Sequence, residues 1–540
     1  MGWICDGIPK DGKDYSNGGP HSPCDNPPTA THCFKCELPK EAVVITTSKG
    51  HGSSSGTGAI VLGMILLGLT GLIGYLIYRS VRPEPVIVAP SPLETPLTSI
   101  RSDSDSILDD RSSSGDRSLF RDSSASNLSN GIERFAREDY DGAVDSFQEA
   151  VEAAPNQPEP EIYLNNAVAR CQNTAPYVVA TVVPITNNPD QAKEILRGVA
   201  DAQRQFNGLN NTENKSRTWQ CDSNDRLLEI KIVDDANDPE IANQVSQALA
   251  GDPKVLAVIG HNSSDASKSA IVNYGSAGLA MISPTSSSTQ LKGDTFFRTL
   301  PSDEKSGAKL AEYLNENINK KNVSVFYTST SPYSVSLRQA FENNYQGNTR
   351  SFDFAEESFN SEDALQKLKD NNLDVVVLFP SVKQRDKVIA LANVAKDKKD
   401  QNLELTFFGG DALYAPETLR GAGSALKGMI LAVPWFREGD YATRASDRWQ
   451  GQISWRTAMA YDAAQAIVNT IEQNTSTSEI TREDIVENLR TLRLDSSQTS
   501  GTSLSFDNNG DRNLEPVLVE IVFGGQNRPE ASEYSFYLVE

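Results

Sequence analysis

From residue 176 to the C-terminus the chain alternates between short β-branched runs and amphipathic stretches, a rhythm few architectures accept. YVVATVVPI, LLEIKIVDD, VLAVIGH, LAMIS, VSVFYTS, DVVVLFP and LTFFGGD read as strands. DQAKEILRGVADAQRQFN, PEIANQVSQALA, YSVSLRQAFENN and KQRDKVIALANVAK read as helices. Strands apolar on both faces, each returning through a helix, predict parallel α/β sheets. Residues 176–540 are too many for one such sheet, so two lobes are expected, with the first crossing near 301–303.

The chemistry available to this region is narrow. His21, His32 and His51 precede residue 58, leaving His261 as the one imidazole for the rest of the chain. That removes Ser-His-Asp, Cys-His and His-metal catalysis, and no Walker A, GxGxxG, HExxH or carboxylate-dyad signature follows residue 176. No catalytic residue is assigned, and no cofactor is expected in this domain. Fifty basic against 72 acidic side chains, a net charge of −22, argue against a nucleic-acid partner.

The region does offer hydroxyl-rich loops at strand ends, where ligands settle in open α/β sheets. They are Gly260–Ala266 (GHNSSDA), Ser283–Ser288 (SPTSSS) and Arg298–Asp303 (RTLPSD). The first opens a helix, whose N-terminal N–H groups favour an anion. His261 reads as a satisfied structural residue. Trp455-Arg456 and Tyr461-Asp462 mark a helix expected to pack on the sheet or between lobes rather than touch ligand.

With GHNSSDA, MISPTSSS, FRTLPSD, FGGD and WRTAMAYDA as landmarks, residues 176–540 resemble the periplasmic branched-chain amino-acid binding proteins of ABC importers. That type I two-lobed fold is shared with metabotropic receptor ectodomains. The resemblance implies that Ser264 binds a ligand α-carboxylate, that the backbone carbonyl of Thr285 takes the α-ammonium, and that Ser287 bonds both. It places Asp303 near the hinge and Tyr333 and Asp411 on the second lobe, with both acids on the ammonium side. Thr285 stands where Ala or Gly is usual, and Phe379-Pro380-Ser381 near where an aromatic often contacts ligand, so side-chain preference does not follow from the family. The implied function is a non-enzymatic receptor for an amino acid or related small polar compound, serving ABC-type uptake with a permease as partner. The alternatives are a sensor with a signalling partner across the membrane, an amidase-type enzyme, and a structural scaffold.

Four further segments precede this domain. Residues 59–78, AIVLGMILLGLTGLIGYLIY, run twenty positions without a charge, long enough to cross a hydrocarbon core of about 30 Å. They are expected to be a single transmembrane anchor. Residues 79–130, Pro-rich and then Ser/Asp/Arg-rich, are expected to be a disordered linker. Residues 131–171 resemble a tetratricopeptide repeat through Phe135, Tyr140, Ala143, Phe147, Ala150 and Pro155. EIYLNNAVAR resembles the start of a second, incomplete repeat, giving a structural collar that must pack on something else, with a peptide-binding groove as the alternative. Residues 1–45 hold Cys5, Cys24, Cys33 and Cys36; the CxxC knuckle and NPPTATHCFKC resemble half of a short zinc ribbon. The reading is a structural zinc site of four thiolates, with His21 or His32 able to replace one of them and a pair of disulfides as the alternative. Anchor, repeat and binding domain together resemble a cyanobacterial group of membrane-anchored receptor-type binding proteins.

Within about twenty residues of the span the basic residues tie, Lys40 and Lys49 against Arg79 and Arg82, so charge does not orient it. Compartment chemistry puts the thiolates in the cytoplasm and the lobes in the periplasm. Cys171 and Cys221 each lie six residues before a strand start, Tyr177 and Leu227. If those strands are parallel neighbours, equal offsets bring the thiols to one rim for a disulfide; two free cysteines are the alternative.

Overall fold

A two-stranded antiparallel ribbon, β1 (Trp3–Cys5) with β2 (Cys24–Asn26), sets Cys5 directly opposite Cys24. The computed structural model describes these residues together with 103–121, 126–209, 221–318, 321–398, 404–474, 479–525 and 532–539. The expected span at 59–78, the linker up to 102, and Cys33 and Cys36 lie outside the described residues. Among the described residues no helix is long and apolar enough to cross a membrane, and no cluster of three or more His, Cys, Asp or Glu could hold a metal. Residues 1–98 and 99–540 are separate units.

The linker expectation fails over residues 103–121. Helix α1 (Asp103–Arg111) runs into the short strand β3 (Ser112–Ser113), which pairs antiparallel with Val233 and Ile232. A polar average hides a few strong anchors. Ile107 and Leu108 pack against the first-lobe core, and Phe120 is buried. Arg111 Nη1 pairs with Asp234 Oδ2 at 3.2 Å, and Ser113 Oγ closes a turn by donating to the Arg117 carbonyl at 2.9 Å.

Three helices follow: α2 (Ser126–Ala136), which starts inside the expected linker, α3 (Tyr140–Ala153) and α4 (Pro158–Arg170). Phe135 meets Tyr140 edge-on with centroids 5.1 Å apart, and Phe147 meets Tyr163 at 5.7 Å. Helix α4 is buried along nearly its whole length between this hairpin and the first lobe. Asn166 offsets the cost of that burial: its amide accepts from Ile230 N and donates to Ile230 O, both at 2.8 Å, as a neighbouring strand would. A disulfide joins Cys171, at the end of α4, to Cys221, with Cα atoms 5.1 Å apart.

The first sheet has the order β3-β5-β4-β6-β7-β8, built from β4 (Tyr177–Val183), β5 (Leu228–Asp234), β6 (Val255–Ile259), β7 (Ala280–Ser283) and β8 (Phe296–Arg298). All but the edge strand β3 are parallel. The second has the order β10-β9-β11-β12-β13-β14-β15. It contains β9 (Asn322–Tyr327), β10 (Asn348–Asp353), β11 (Val375–Phe379), β12 (Thr406–Gly410), β13 (Ile430–Val433), β14 (Val517–Phe523) and β15 (Tyr534–Leu538). Its strands are parallel as far as β13, after which β14 and β15 turn antiparallel.

Helices α5 (Pro189–Phe206), α6 (Pro239–Gly251) and α7 (Ser264–Ser276) belong to the first lobe; α8 (Asp303–Asn317), α9 (Pro332–Asn344), α10 (Ser361–Asp370), α11 (Arg385–Asp397) and α12 (Pro416–Ala422) belong to the second. The chain returns after β13 to place α13 (Gly439–Arg448), α14 (Trp455–Glu472) and α15 (Arg482–Thr491) on the first lobe. Helix α14 lies so close to α5 that a Cβ on Gly198 would fall 2.1 Å from the Thr457 carbonyl, which is why that position is glycine. The lobes therefore exchange chain three times: after Arg298, after β13, and before β14. Two ion pairs stand at these crossings, Arg298–Asp511 and the fully buried Arg512–Asp462, each at 2.6 Å.

Candidate functional site

The C-terminal ends of both parallel sheets face one cavity of about 170 Å³, well below the usual size of a site for drug-like molecules. Its first-lobe wall is Asn237 after β5, Asn262–Asp265 after β6, and Thr285 after β7. The second-lobe wall is Thr328, Thr330, Ser331 and Tyr333 after β9, Ser381–Gln384 after β11, and Asp411 and Ala412 after β12. Trp455 and Arg456, the first residues of α14, complete it.

Of the six residues expected to hold ligand, Ser264, Thr285, Tyr333 and Asp411 line this cavity. Ser264 opens α7, capped by Ser263, whose side chain accepts from Ala266 N at 3.3 Å; the helix N-terminus and its dipole make this wall attractive to an anion. The Thr285 hydroxyl is already committed, donating to the Asn262 carbonyl at 2.8 Å. Tyr333 donates to Asp411 Oδ1 at 2.7 Å. Burial raises the Asp411 carboxyl above its ordinary range, against the opposing effects of that hydrogen bond and of Arg456. Burial likewise holds the Tyr333 phenol well above 10.

Ser287 and Asp303 are not on the cavity wall. Both are buried behind it, where the Asp303 N–H donates to the Ser287 carbonyl at 2.9 Å and Asp303 Oδ2 accepts from the Ser336 hydroxyl. Burial pushes the Asp303 carboxyl up to about 7, opposed by the Ser336 hydrogen bond. Asp303 starts α8 at the first crossing, so its place is the hinge, with no direct view of the cleft. A polar seam joins the lobes there: Ser288 donates to the Pro332 carbonyl at 2.9 Å, and the Ser336 and Ser288 hydroxyl oxygens lie 3.1 Å apart. Nearer the mouth, Ser331 donates to Asp265 Oδ2 at 3.4 Å. His261 is fully buried between Asp235 (2.7 Å) and the Tyr274 hydroxyl (3.1 Å) and is structural. Phe379 lies in the second-lobe core, and only Ser381 of its tripeptide reaches the cavity.

The family described as periplasmic binding protein matches residues 191–525, more than half of the chain. The chain is a periplasmic binding protein. Its family binds solutes and does not consist of enzymes. The fold agrees with solved structures of such proteins. The leucine binding protein LivK of Thermotoga maritima is 20% identical, with a TM-score of 0.55 over 67% of this chain and 97% of that one. The substrate binding protein LivJ of Streptococcus pneumoniae, solved with isoleucine, is 18% identical, with a TM-score of 0.53 over 67% of this chain and all of that one (100%). A leucine-, isoleucine-, valine-, threonine- and alanine-binding protein of Brucella ovis, in a closed conformation, is 14% identical, with a TM-score of 0.57 over 68% and 95%. No curated protein sequence matches.

Sequence reasoning missed several wall residues of this binding protein. Asn237 lies on a loop and Lys383 in a short 3-10 turn (Val382–Gln384), neither with a hydroxyl run to draw attention, although the run DDANDP before α6 is a legible strand-to-helix turn. Ala236 and Asn237 both adopt left-handed backbone, φ 54° and 53°, which costs strain in non-glycine residues. Trp455 and Arg456 read as core or interlobe contacts rather than ligand contacts; they are buried as a core pair would be, yet they also line the cleft.

Proposed function

We propose that this chain is an extracytoplasmic solute receptor whose lobes close around a small zwitterion, an amino acid in the simplest case, and present it to an ABC permease. One observation carries the reading: Ser264 at a helix N-terminus of one lobe and the Tyr333–Asp411 pair of the other line the same small cavity. The first end suits a carboxylate and the second an ammonium, and a ligand touching both favours the closed arrangement. The solved leucine and isoleucine complexes of similar fold support the amino-acid class, while a Rhodopseudomonas palustris relative bound to 3,4-dihydroxybenzoic acid marks the breadth of the fold.

The anchor at 59–78 holds the receptor to the membrane, with the N-terminus cytoplasmic and the lobes periplasmic; the Cys171–Cys221 disulfide supports that placement, since such bonds persist in oxidising compartments. Cys5, Cys24, Cys33 and Cys36 hold a structural zinc ion. The register that sets Cys5 opposite Cys24 supports it, because it brings two of the four cysteine positions side by side despite their separation in sequence.

Calorimetry of the full chain against amino acids, amides and urea tests the receptor. Saturable binding of an amino acid without its turnover is expected; no binding across the panel refutes the reading, and turnover restores an enzyme. Zinc content falling on Cys33→Ser and protease on intact cells removing the lobes test the remaining assignments.

A further inference from the structure

Three residues that line the cavity each carry a buried polar atom without a hydrogen-bond partner: Asn237 Oδ1, Trp455 Nε1 and Arg456 Nε. The residues are 3%, 2% and 3% exposed. Leaving such a group unpaired in the interior is unfavourable enough that native structures keep few of them, and three in the lining of one small cavity form a pattern. Two are donors on successive residues in the first turn of α14, an eighteen-residue helix whose dipole adds positive potential there.

Arg456 is held in place. Its Nη1 contacts Glu194 Oε2 at 3.3 Å, and its guanidinium lies over the Trp455 ring, 4.5 Å from the centroid. From the opposite lobe comes Arg385, buried, donating through Nε to the carbonyl of Ala412 at 3.1 Å and ion-paired to Glu417 at 3.0 Å. Its Nη2 is also unpartnered, and the nearby Arg456 charge helps burial to lower its pKa. Lys383 adds a third cation on the second-lobe wall. The carboxylates facing this corner are Glu194, Glu417 and Asp411, with Asp265 facing Lys383.

The apolar side-chain surfaces on the wall are Val382, Ala412 and the rings of Tyr333 and Trp455. An aliphatic ligand side chain would press carbon against the Trp455 and Arg456 N–H groups, and a site built to hydrogen-bond its ligand strongly rejects an analogue that cannot. A carboxylate would accept from both.

We propose that the start of α14 is a distal subsite for a second carboxylate, so that the cleft selects acidic amino acids over aliphatic ones. This rests on the amino-acid reading above: Ser264 and Asp411 take the α-groups, and Trp455 and Arg456 take the side-chain end. Asn237 Oδ1, an acceptor, suits the donor-bearing end.

The test is calorimetry of the full chain with glutamate, aspartate, glutamine, leucine and isoleucine. Glutamate or aspartate is expected to bind at least 100-fold more tightly than leucine, and more tightly than glutamine. Trp455→Phe, which keeps the ring and removes the N–H, and Arg456→Gln are each expected to weaken the acidic ligand at least tenfold while changing glutamine binding less, provided the melting temperature is retained. Because the wild-type ranking needs no variant, a folding defect does not blunt the test. Leucine or glutamine binding best overturns the distal carboxylate and leaves the amino-acid receptor standing. Absence of binding by any of the five, with amides or urea binding instead, overturns both.

Discussion

The Tyr333 hydroxyl donates to Asp411 Oδ1 at 2.7 Å while accepting from the Ala412 N–H at 3.3 Å, which fixes the carboxylate at the end of β12 from the first turn of α9. Each partner orients the other, so ligand chemistry and side-chain geometry are coupled at this point. Asp411→Asn and Ser264→Ala, on opposite lobes, are each expected to weaken amino-acid binding by about 1.5–3 kcal/mol, the range for hydrogen bonds to charged groups. Titration calorimetry measures this; unchanged affinity in both variants would dismiss the site.

Reduction of Cys171–Cys221 should lower stability. The bridge closes a separation of 50 residues, worth about 4 kcal/mol in the chain-entropy description. Cys171→Ser with Cys221→Ser is expected to lower the denaturation midpoint while leaving binding intact, since neither cysteine lines the cleft. Urea melts of the variant and wild type measure it.

Asp462 and Arg512 form a fully buried pair at 2.6 Å, and Arg512 also donates to the carbonyls of Thr299 (3.0 Å) and Thr502 (2.7 Å). Removing one partner leaves an uncompensated charge in the interior, so Asp462→Ala should cost about 3–5 kcal/mol. The double variant Asp462→Leu with Arg512→Met should cost less than that single change. A double variant no better than Asp462→Ala would show that the carbonyl contacts matter more than the charge pair.

Asp303 gives a pH dependence whose direction is fixed. Its carboxyl titrates near 7 in the folded chain against an ordinary 3.8. The folded state therefore holds the proton where the unfolded state has lost it, and stability from this group falls as pH rises from about 4 to 7. Asp303→Asn should flatten that part of the stability profile. Denaturant midpoints at intervals from pH 4 to 8 check it; an unchanged slope would mean the carboxylate is ionised throughout.

Much of this architecture is legible in the chain. Val178–Val183 and Val375–Phe379 are apolar on both faces because helices cover both sides of a parallel sheet, so their strand character is local. The Cys171–Cys221 pairing follows from equal offsets to neighbouring strands, a relation that only needs the strand order. Residues 103–121 read as linker because their few anchors, Ile107, Leu108, Arg111 and Phe120, matter only once the edge of β5 and the first-lobe core exist to receive them.

The site divides in the same way. Hydroxyl content and strand-end position determined that the loops holding Ser264 and Thr285 would border a cleft, because parallel sheets expose their C-terminal loops whatever else the chain does, while Tyr333 and Asp411 followed only from the family resemblance. Tertiary structure alone decided that Asp303 and Ser287 sit behind the wall and that Trp455 and Arg456 stand in it. Those outcomes depend on how the crossing segments and α14, packed onto α5 across Gly198, rotate the lobes' ends toward each other. Such long-range placement leaves no periodic trace in the residues that carry it.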